Sequence, residues 1–197
     1  YFDDGYSAKP LVFCGTVGLI PKRIKGKFSY IKRAKPGDKI LMVGGRVGKD
    51  GIHGATFSSE QLDTRSPVTA VQIGDPITQK KFSDAIIKEL RDKNLYNSIT
   101  DNGAGGLSSS VGEMARESGG FVVDLDLVPL KYSGLQPWEI WISESQERMT
   151  MSVSPQNVRK VILLLKKRGV EVSIIGKFIK RKKASVRYRK KEILKMD

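Results

Sequence analysis

Ile99-Thr100-Asp101-Asn102-Gly103-Ala104-Gly105-Gly106-Leu107 runs directly into Ser108-Ser109-Ser110. An apolar segment ends at one carboxylate, a loop with three glycines follows, and a helical pattern opens through Leu107, Val111, Met114 and Ala115. Glycine lets the backbone approach a ligand closely and adopt positive φ. The start of a helix offers unpaired N–H groups to an anion. A single carboxylate beside a phosphate suits Mg²⁺, which takes few protein oxygens and shares those of the phosphate. The same residues also read as an ordinary strand-to-helix turn, with a serine N-cap and a Ser110-x-x-Glu113 capping box.

Outward from that loop, strands and helices alternate. Upstream, Ala70-Val71-Gln72-Ile73-Gly74 is apolar, and Asp75-Pro76 is an N-cap followed by proline at the first helical position. Phe82, Ala85, Ile86 and Leu90 supply that helix with an apolar face. Downstream, Gly119-Gly120 stops the central helix, and residues 121–127 alternate as a half-exposed strand with Asp124 and Asp126 on one side. Pro137 opens one turn carrying Trp138, Trp141 and Ile142, with the tryptophans read as core. Six polar residues, Ser143-Glu144-Ser145-Gln146-Glu147-Arg148, then separate it from a strand through Met149, Met151 and Val153. A plain turn favours Gly, Asn or Pro, so this run invites a functional reading. Ser154-Pro155 starts an amphipathic helix that Gly169 stops, and 170–175 and 184–188 read as strands. The pattern predicts an α+β fold, one mixed sheet with helices packed over one face.

Toward the N-terminus, residues 10–20 read as a buried strand. Residues 21–36, with seven Lys/Arg and little periodicity, read as a linker, and 39–43 as a short strand. Five glycines lie among residues 44–54, together with Arg46, Lys49 and His53. That loop suits an anion cradle, a flexible lid or a sharp close packing of backbone. It is not a Walker A loop, because Gly48-Lys49 precedes Asp50 rather than Ser or Thr. His53 is the only histidine, so a histidine metal cluster is excluded, and it reads as a hydrogen-bonded structural residue.

The chain has 197 residues, 39% apolar and 28% charged, enough for the core of one domain with an appendage or of two small ones. Its longest apolar run, 161–165, is too short to span a bilayer. One cysteine, Cys14, excludes an internal disulfide framework and points to the cytoplasm. The first residue is Tyr rather than Met, which reads as a piece of a longer protein. The net charge of +14 is local: residues 156–197 hold 15 Lys/Arg against 3 Asp/Glu. Such a tail reads as a solvated face, or one that meets an acidic neighbour, in preference to a nucleic-acid binder.

Four motifs in order resemble one family. They are Gly44-Gly45-Arg46-x-Gly48-x-Asp50-Gly51-Ile52-His53-Gly54-Ala55-Thr56-Phe57-Ser58-Ser59, Val71-Gln72-Ile73-Gly74-Asp75-Pro76, Asp101-x-Gly103-Ala104-Gly105-Gly106-Leu107, and Ser143-Glu144-Ser145-Gln146-Glu147-Arg148-Met149. Together they resemble the synthetase region of the phosphoribosylformylglycinamidine synthases. The resemblance implies ATP-dependent amidation of formylglycinamide ribonucleotide in purine biosynthesis, a C–N ligase reaction. ATP phosphorylates the formamide oxygen, and ammonia from a glutamine amidotransferase domain or subunit displaces the phosphate. By position, Gln72, Glu144, Ser145 and Gln146 resemble the family's substrate-binding residues, and Asp101 its Mg²⁺ ligand. No residue of this chain is matched to the catalytic acid–base chemistry. The resemblance further implies that residues 1–35 end an upstream domain of the aminoimidazole-ribonucleotide (AIR) synthase N-terminal type. Residues 36–197 would then form a C-terminal-type domain, inactive without the remaining synthetase domains. The basic tail is not a feature of that resemblance. Alternatives are another relative of the same superfamily, such as a selenophosphate synthase or thiamine-phosphate kinase, and a basic RNA-binding or scaffold module.

Overall fold

The computed structural model describes residues 4–6, 15–52 and 74–197. Residues 15–20 form no strand and are exposed, with Val17 and Leu19 open to solvent. The expected buried strand is therefore absent from its described half, and residues 10–14 lie outside the described residues. In place of a plain linker, residues 21–36 contain a small antiparallel hairpin, β1 (Arg23–Ile24) and β2 (Lys27–Phe28). Lys25 and Gly26 take positive φ at its turn, and Arg23 stacks over the Phe28 ring at 4.2 Å.

Among the described residues seven strands form the main sheet: β3 (Lys39–Gly44), β4 (Ser98–Asp101), β5 (Gly120–Asp124), β6 (Arg148–Val153), β7 (Val172–Ile179), β8 (Ala184–Tyr188) and β9 (Lys191–Met196). Their spatial order is β4-β6-β3-β7-β5-β8-β9. All neighbours are antiparallel except β5 and β8, so the sheet is mixed, as the sequence predicts. Among the described residues four α-helices accompany it: α1 (Pro76–Ala85), continued by a π-helical turn Ile86–Arg91, then α2 (Gly106–Ser118), α3 (Pro137–Ile142) and α4 (Pro155–Lys167).

The expectation of helices over one face is corrected by the central strand. β3 is apolar at every inner position, and alternate residues of a strand point to opposite faces. Ile40 and Met42 pack with Leu107, Val111 and Met114 of α2 and Ile140 of α3. Leu41 and Val43 pack with Phe82 and Ala85 of α1 and Val161 and Leu165 of α4. Both faces are covered, and a strand buried on both faces reads as a continuous apolar run.

Local chemistry sets the helix ends. The Asp75 carboxylate accepts from the Ile77 and Thr78 N–H groups at 3.1 Å, the N-cap expected before Pro76. Gly169, at φ +68°, ends α4. Of the two tryptophans, Trp141 packs against the core while Trp138 is exposed. Among the described residues no helix is long and apolar enough to cross a membrane.

Candidate functional site

β3 ends at Gly44 with φ +105°, where a Cβ would overlap the Glu147 carbonyl oxygen. The chain then turns through residues 45–52, and four of its amide groups are engaged. Gly45 N–H donates to Glu147 O at 2.9 Å, Val47 N–H to Pro129 O at 2.9 Å, Gly48 N–H to Ser145 Oγ at 2.9 Å, and Lys49 N–H to Tyr132 Oη at 2.8 Å. Of the readings of this glycine-rich loop, close backbone packing is the one its described part fits. His53, Gly54 and Gln72 lie outside the described residues.

β4 delivers Asp101 to an exposed position, and the next residue turns inward. Asn102 is buried, and its Oδ1 accepts from Ser110 Oγ at 2.5 Å and Thr150 Oγ1 at 2.8 Å. Its backbone N–H donates to Arg148 O at 3.3 Å. Asn102 Nδ2 is buried with no partner among the described residues. Gly105 takes a left-handed conformation at φ +76° and donates its N–H to Glu144 Oε1 at 3.2 Å. Gly106, at φ +55°, lies against the next segment, where a Cβ would overlap the Ser143 carbonyl oxygen and come within 2.9 Å of its carbon.

α2 therefore starts on glycine, and the serine N-cap and Ser110-x-x-Glu113 capping box do not form. Ser108 Oγ donates back to Gly105 O at 2.6 Å, and Ser110 is turned to Asn102. The N–H groups of Gly106 and Ser108 bond to Gly103 O and Gly105 O at 2.9 and 3.1 Å. The helix start is closed on itself more than open to an anion.

The polar run before β6 is held from beneath by Arg148, which is only 3% exposed. Its Nε donates to Ser145 O at 2.7 Å and its Nη2 to Ser143 O at 2.5 Å, so two charge-assisted bonds bracket Glu144. Burial lowers the Arg148 pKa to about 10. Ser145 is also buried: its hydroxyl lies 3.1 Å from Ser143 Oγ, accepts from Gly48 N–H and donates to the Asp50 carboxylate. Lys131 Nζ meets Asp50 at 2.8 Å, and the Asp50 carbonyl accepts the Glu144 N–H at 2.8 Å. Burial pushes the Asp50 carboxyl up, but the bonds from Lys131 and Ser145 outweigh it and hold the pKa below the usual carboxylate range. Glu147 completes the turn at φ +54°.

A cleft of 470 Å³ opens between these segments and α1. Asp101, Gly103, Gln146 and Glu147 line one side, with Phe82 and Ile86 opposite. Of the residues singled out from sequence, Asp101, Ser145 and Gln146 reach this cleft. Glu144 holds the Gly105 amide beside it, and Gln146 Nε2 donates to Glu144 O at 3.2 Å. Among the described residues no group of three His, Cys, Asp or Glu side chains is placed to hold a metal. Asp101 therefore offers a cation one exposed carboxylate and, among the described residues, no protein cage.

Sequence reasoning missed Arg148, Asn102 and Asp50 as the framework of the site. One signal was present. Arg148, Thr150 and Ser152 alternate with Met149, Met151 and Val153, and all three polar residues are buried. That alternation marked a polar inner face rather than a solvated one.

Known proteins resemble the chain over its whole length. The family described as AIR synthase related protein, C-terminal domain, matches residues 35–189. Phosphoribosylformylglycinamidine synthase subunit PurL of Thermoplasma volcanium is 41% identical over 201 residues, covering 100% of this chain and 26% of that protein. Among solved structures, T. maritima PurL complexed with FGAR superposes with a TM-score of 0.75 at 35% identity, over 84% of this chain and 28% of that one. T. maritima PurL complexed with ATP gives a TM-score of 0.70 at 31% identity, over 84% and 25%. The chain spans about a quarter of the length of the relatives it matches. A family match across residues 35–189 covers most of the 197-residue sequence, and the chain belongs to the AIR synthase related protein, C-terminal domain, family.

Proposed function

We propose that this chain is the part of a phosphoribosylformylglycinamidine synthase that forms one wall of the pocket for formylglycinamide ribonucleotide. Residues 1–35 belong to the end of an upstream domain and residues 36–197 to the AIR-synthase C-terminal-type domain. The carrying observation is the junction of two motifs far apart in sequence. Gly106 packs on Ser143, Gly105 N–H bonds Glu144, and Asp101 and Gln146 emerge beside each other on one cleft.

In this reading Gln146 and Glu144 bind and orient the substrate, with Gln72 joining them from outside the described residues. Ser145 lines the pocket but its hydroxyl holds the Gly48 and Asp50 segment, so its contribution is to shape the wall. Asp101 is the residue that would hold Mg²⁺, and the ion would supply neutralisation of charge on a transferring phosphoryl group. Arg148 holds the Ser143 and Ser145 carbonyls from beneath, which fixes the turn that carries Glu144 to the Gly105 amide and Gln146 to the cleft. The synthetase's remaining domains supply the other walls, a glutamine amidotransferase supplies ammonia, and the assembly works in the cytoplasm.

Ligand binding to the native state raises its stability in proportion to RT ln(1 + [L]/Kd). Formylglycinamide ribonucleotide is expected to raise the melting temperature of the chain, and Gln146→Ala or Asp101→Asn in the presence of Mg²⁺ to abolish the rise. A chain that melts at the same temperature with and without the ribonucleotide would overturn the reading. The isolated chain is expected to show no amidation turnover.

A further inference from the structure

A second cleft, of 500 Å³, lies between α2 and the β8–β9 edge and shares no lining residue with the first. Its wall on α2 includes Gly112, in the middle of the helix. Gly106 on the same helix is required by the Ser143 backbone, but a Cβ at Gly112 would meet nothing within 4 Å. A glycine inside a helix is less favourable than alanine, so this bare position costs the helix stability with no packing reason among the described residues. What it does is keep the cleft wide at its centre.

The floor is aromatic. Phe121 and Trp141 sit with ring centroids 5.8 Å apart and planes tilted by 34°, and Leu194 closes the far side. The mouth is cationic. Arg116 and Lys182 line it, and neither has an ion-pair partner among the described residues, while Lys183 is held by Glu192 at 3.1 Å. Asp197 also reaches the mouth, so the cations outnumber the carboxylate there. The segment that borders it, residues 177–197, holds ten Lys/Arg against two Asp/Glu, an excess that concentrates anions near this edge.

A flat apolar floor, a helix wall kept bare and a cationic mouth call for a ligand with one planar ring system and one anionic end. We propose that this cleft binds a nucleoside monophosphate, the base lying on Trp141 and the phosphate meeting Arg116 and Lys182. Stacking on an aromatic ring is tolerant of base identity, so the site reads the ring and the charge rather than one particular base.

Trp141 reports the event directly. In the full chain with Trp138→Phe, which leaves Trp141 as the sole tryptophan of the two, adenosine 5′-monophosphate is titrated at low salt. Saturable quenching is expected, with adenosine and ribose 5-phosphate each binding at least about tenfold more weakly. Raising the salt concentration weakens the phosphate contribution. Gly112→Leu fills the cleft from a position with open space, and is expected to melt no lower than the parent chain while losing the quenching. Gln146→Ala, in the other cleft, is expected to leave quenching unchanged, which separates this site from the proposed substrate pocket. No saturable response to adenosine 5′-monophosphate would overturn the proposal. So would a response that survives Gly112→Leu, or one abolished by Gln146→Ala.

Discussion

Gly106→Ala tests how tightly the two halves of the site are joined. The φ of +55° places residue 106 in the left-handed region, which costs a non-glycine residue about 1–2 kcal/mol. The added Cβ would also overlap the Ser143 carbonyl oxygen, and that carbonyl cannot retreat freely because Arg148 Nη2 holds it at 2.5 Å. Overpacking against a fixed group adds about 1–3 kcal/mol. Together these predict a loss of about 2–5 kcal/mol. For a chain of this size that corresponds to a melting temperature lower by roughly 5–15 °C.

Gly112→Ala supplies the internal control. It lies on the same helix with open space around it, and removing a mid-helix glycine is expected to raise stability by about 1 kcal/mol. Thermal and urea denaturation of the two variants beside the parent chain measure both. If Gly106→Ala melts with the parent, or if the two variants shift in the same direction, the proposed contact between Gly106 and Ser143 is wrong.

Arg148→Met leaves the Ser143 and Ser145 carbonyls buried without donors, and is expected to cost about 1–3 kcal/mol for the unmade bonds in denaturant titration. The same variant should lose the thermal response to formylglycinamide ribonucleotide even at temperatures where it remains folded. For Asp50, the folded-state pKa is depressed, so its stabilising effect is present above the unfolded carboxylate value and lost as pH falls through the folded one. Asp50→Asn is therefore expected to be less stable than the parent near neutral pH, and the gap should narrow as pH drops below about 4. A constant gap across that range in pH-dependent urea unfolding would show that the Lys131–Asp50 pair contributes nothing to it.

Much of the fold was legible because its signals are local. The Asp75-Pro76 cap, the glycine stops at Gly119 and Gly169, and the strand at 184–188 each depend on a few neighbouring residues, and the structure places them as read. What was not legible depends on contacts across the chain. β9 has Lys191, Ile193 and Lys195 exposed on an outer edge, so its residues carry no inward–outward pattern to read. Lysines on such an edge also discourage pairing with other chains. The apolar residues Val17 and Leu19 suggested burial, yet nothing in the described residues covers them.

At the site, the resemblance brought Asp101, Glu144, Ser145 and Gln146 into view, but the sequence did not show that Ser145 faces inward. Its hydroxyl is bound to groups near residue 50, about a hundred positions away. Nor does the sequence show that Arg148 is buried, under the loop it supports.

The most direct test of the central claim is amide chemical-shift mapping of the chain titrated with formylglycinamide ribonucleotide in the presence of Mg²⁺. The account predicts saturable shifts concentrated at Gly103, Gly105 and residues 144–147, with Gly112 and residues 182–183 unmoved. Shifts confined to the β8–β9 edge, or none at all, would contradict it.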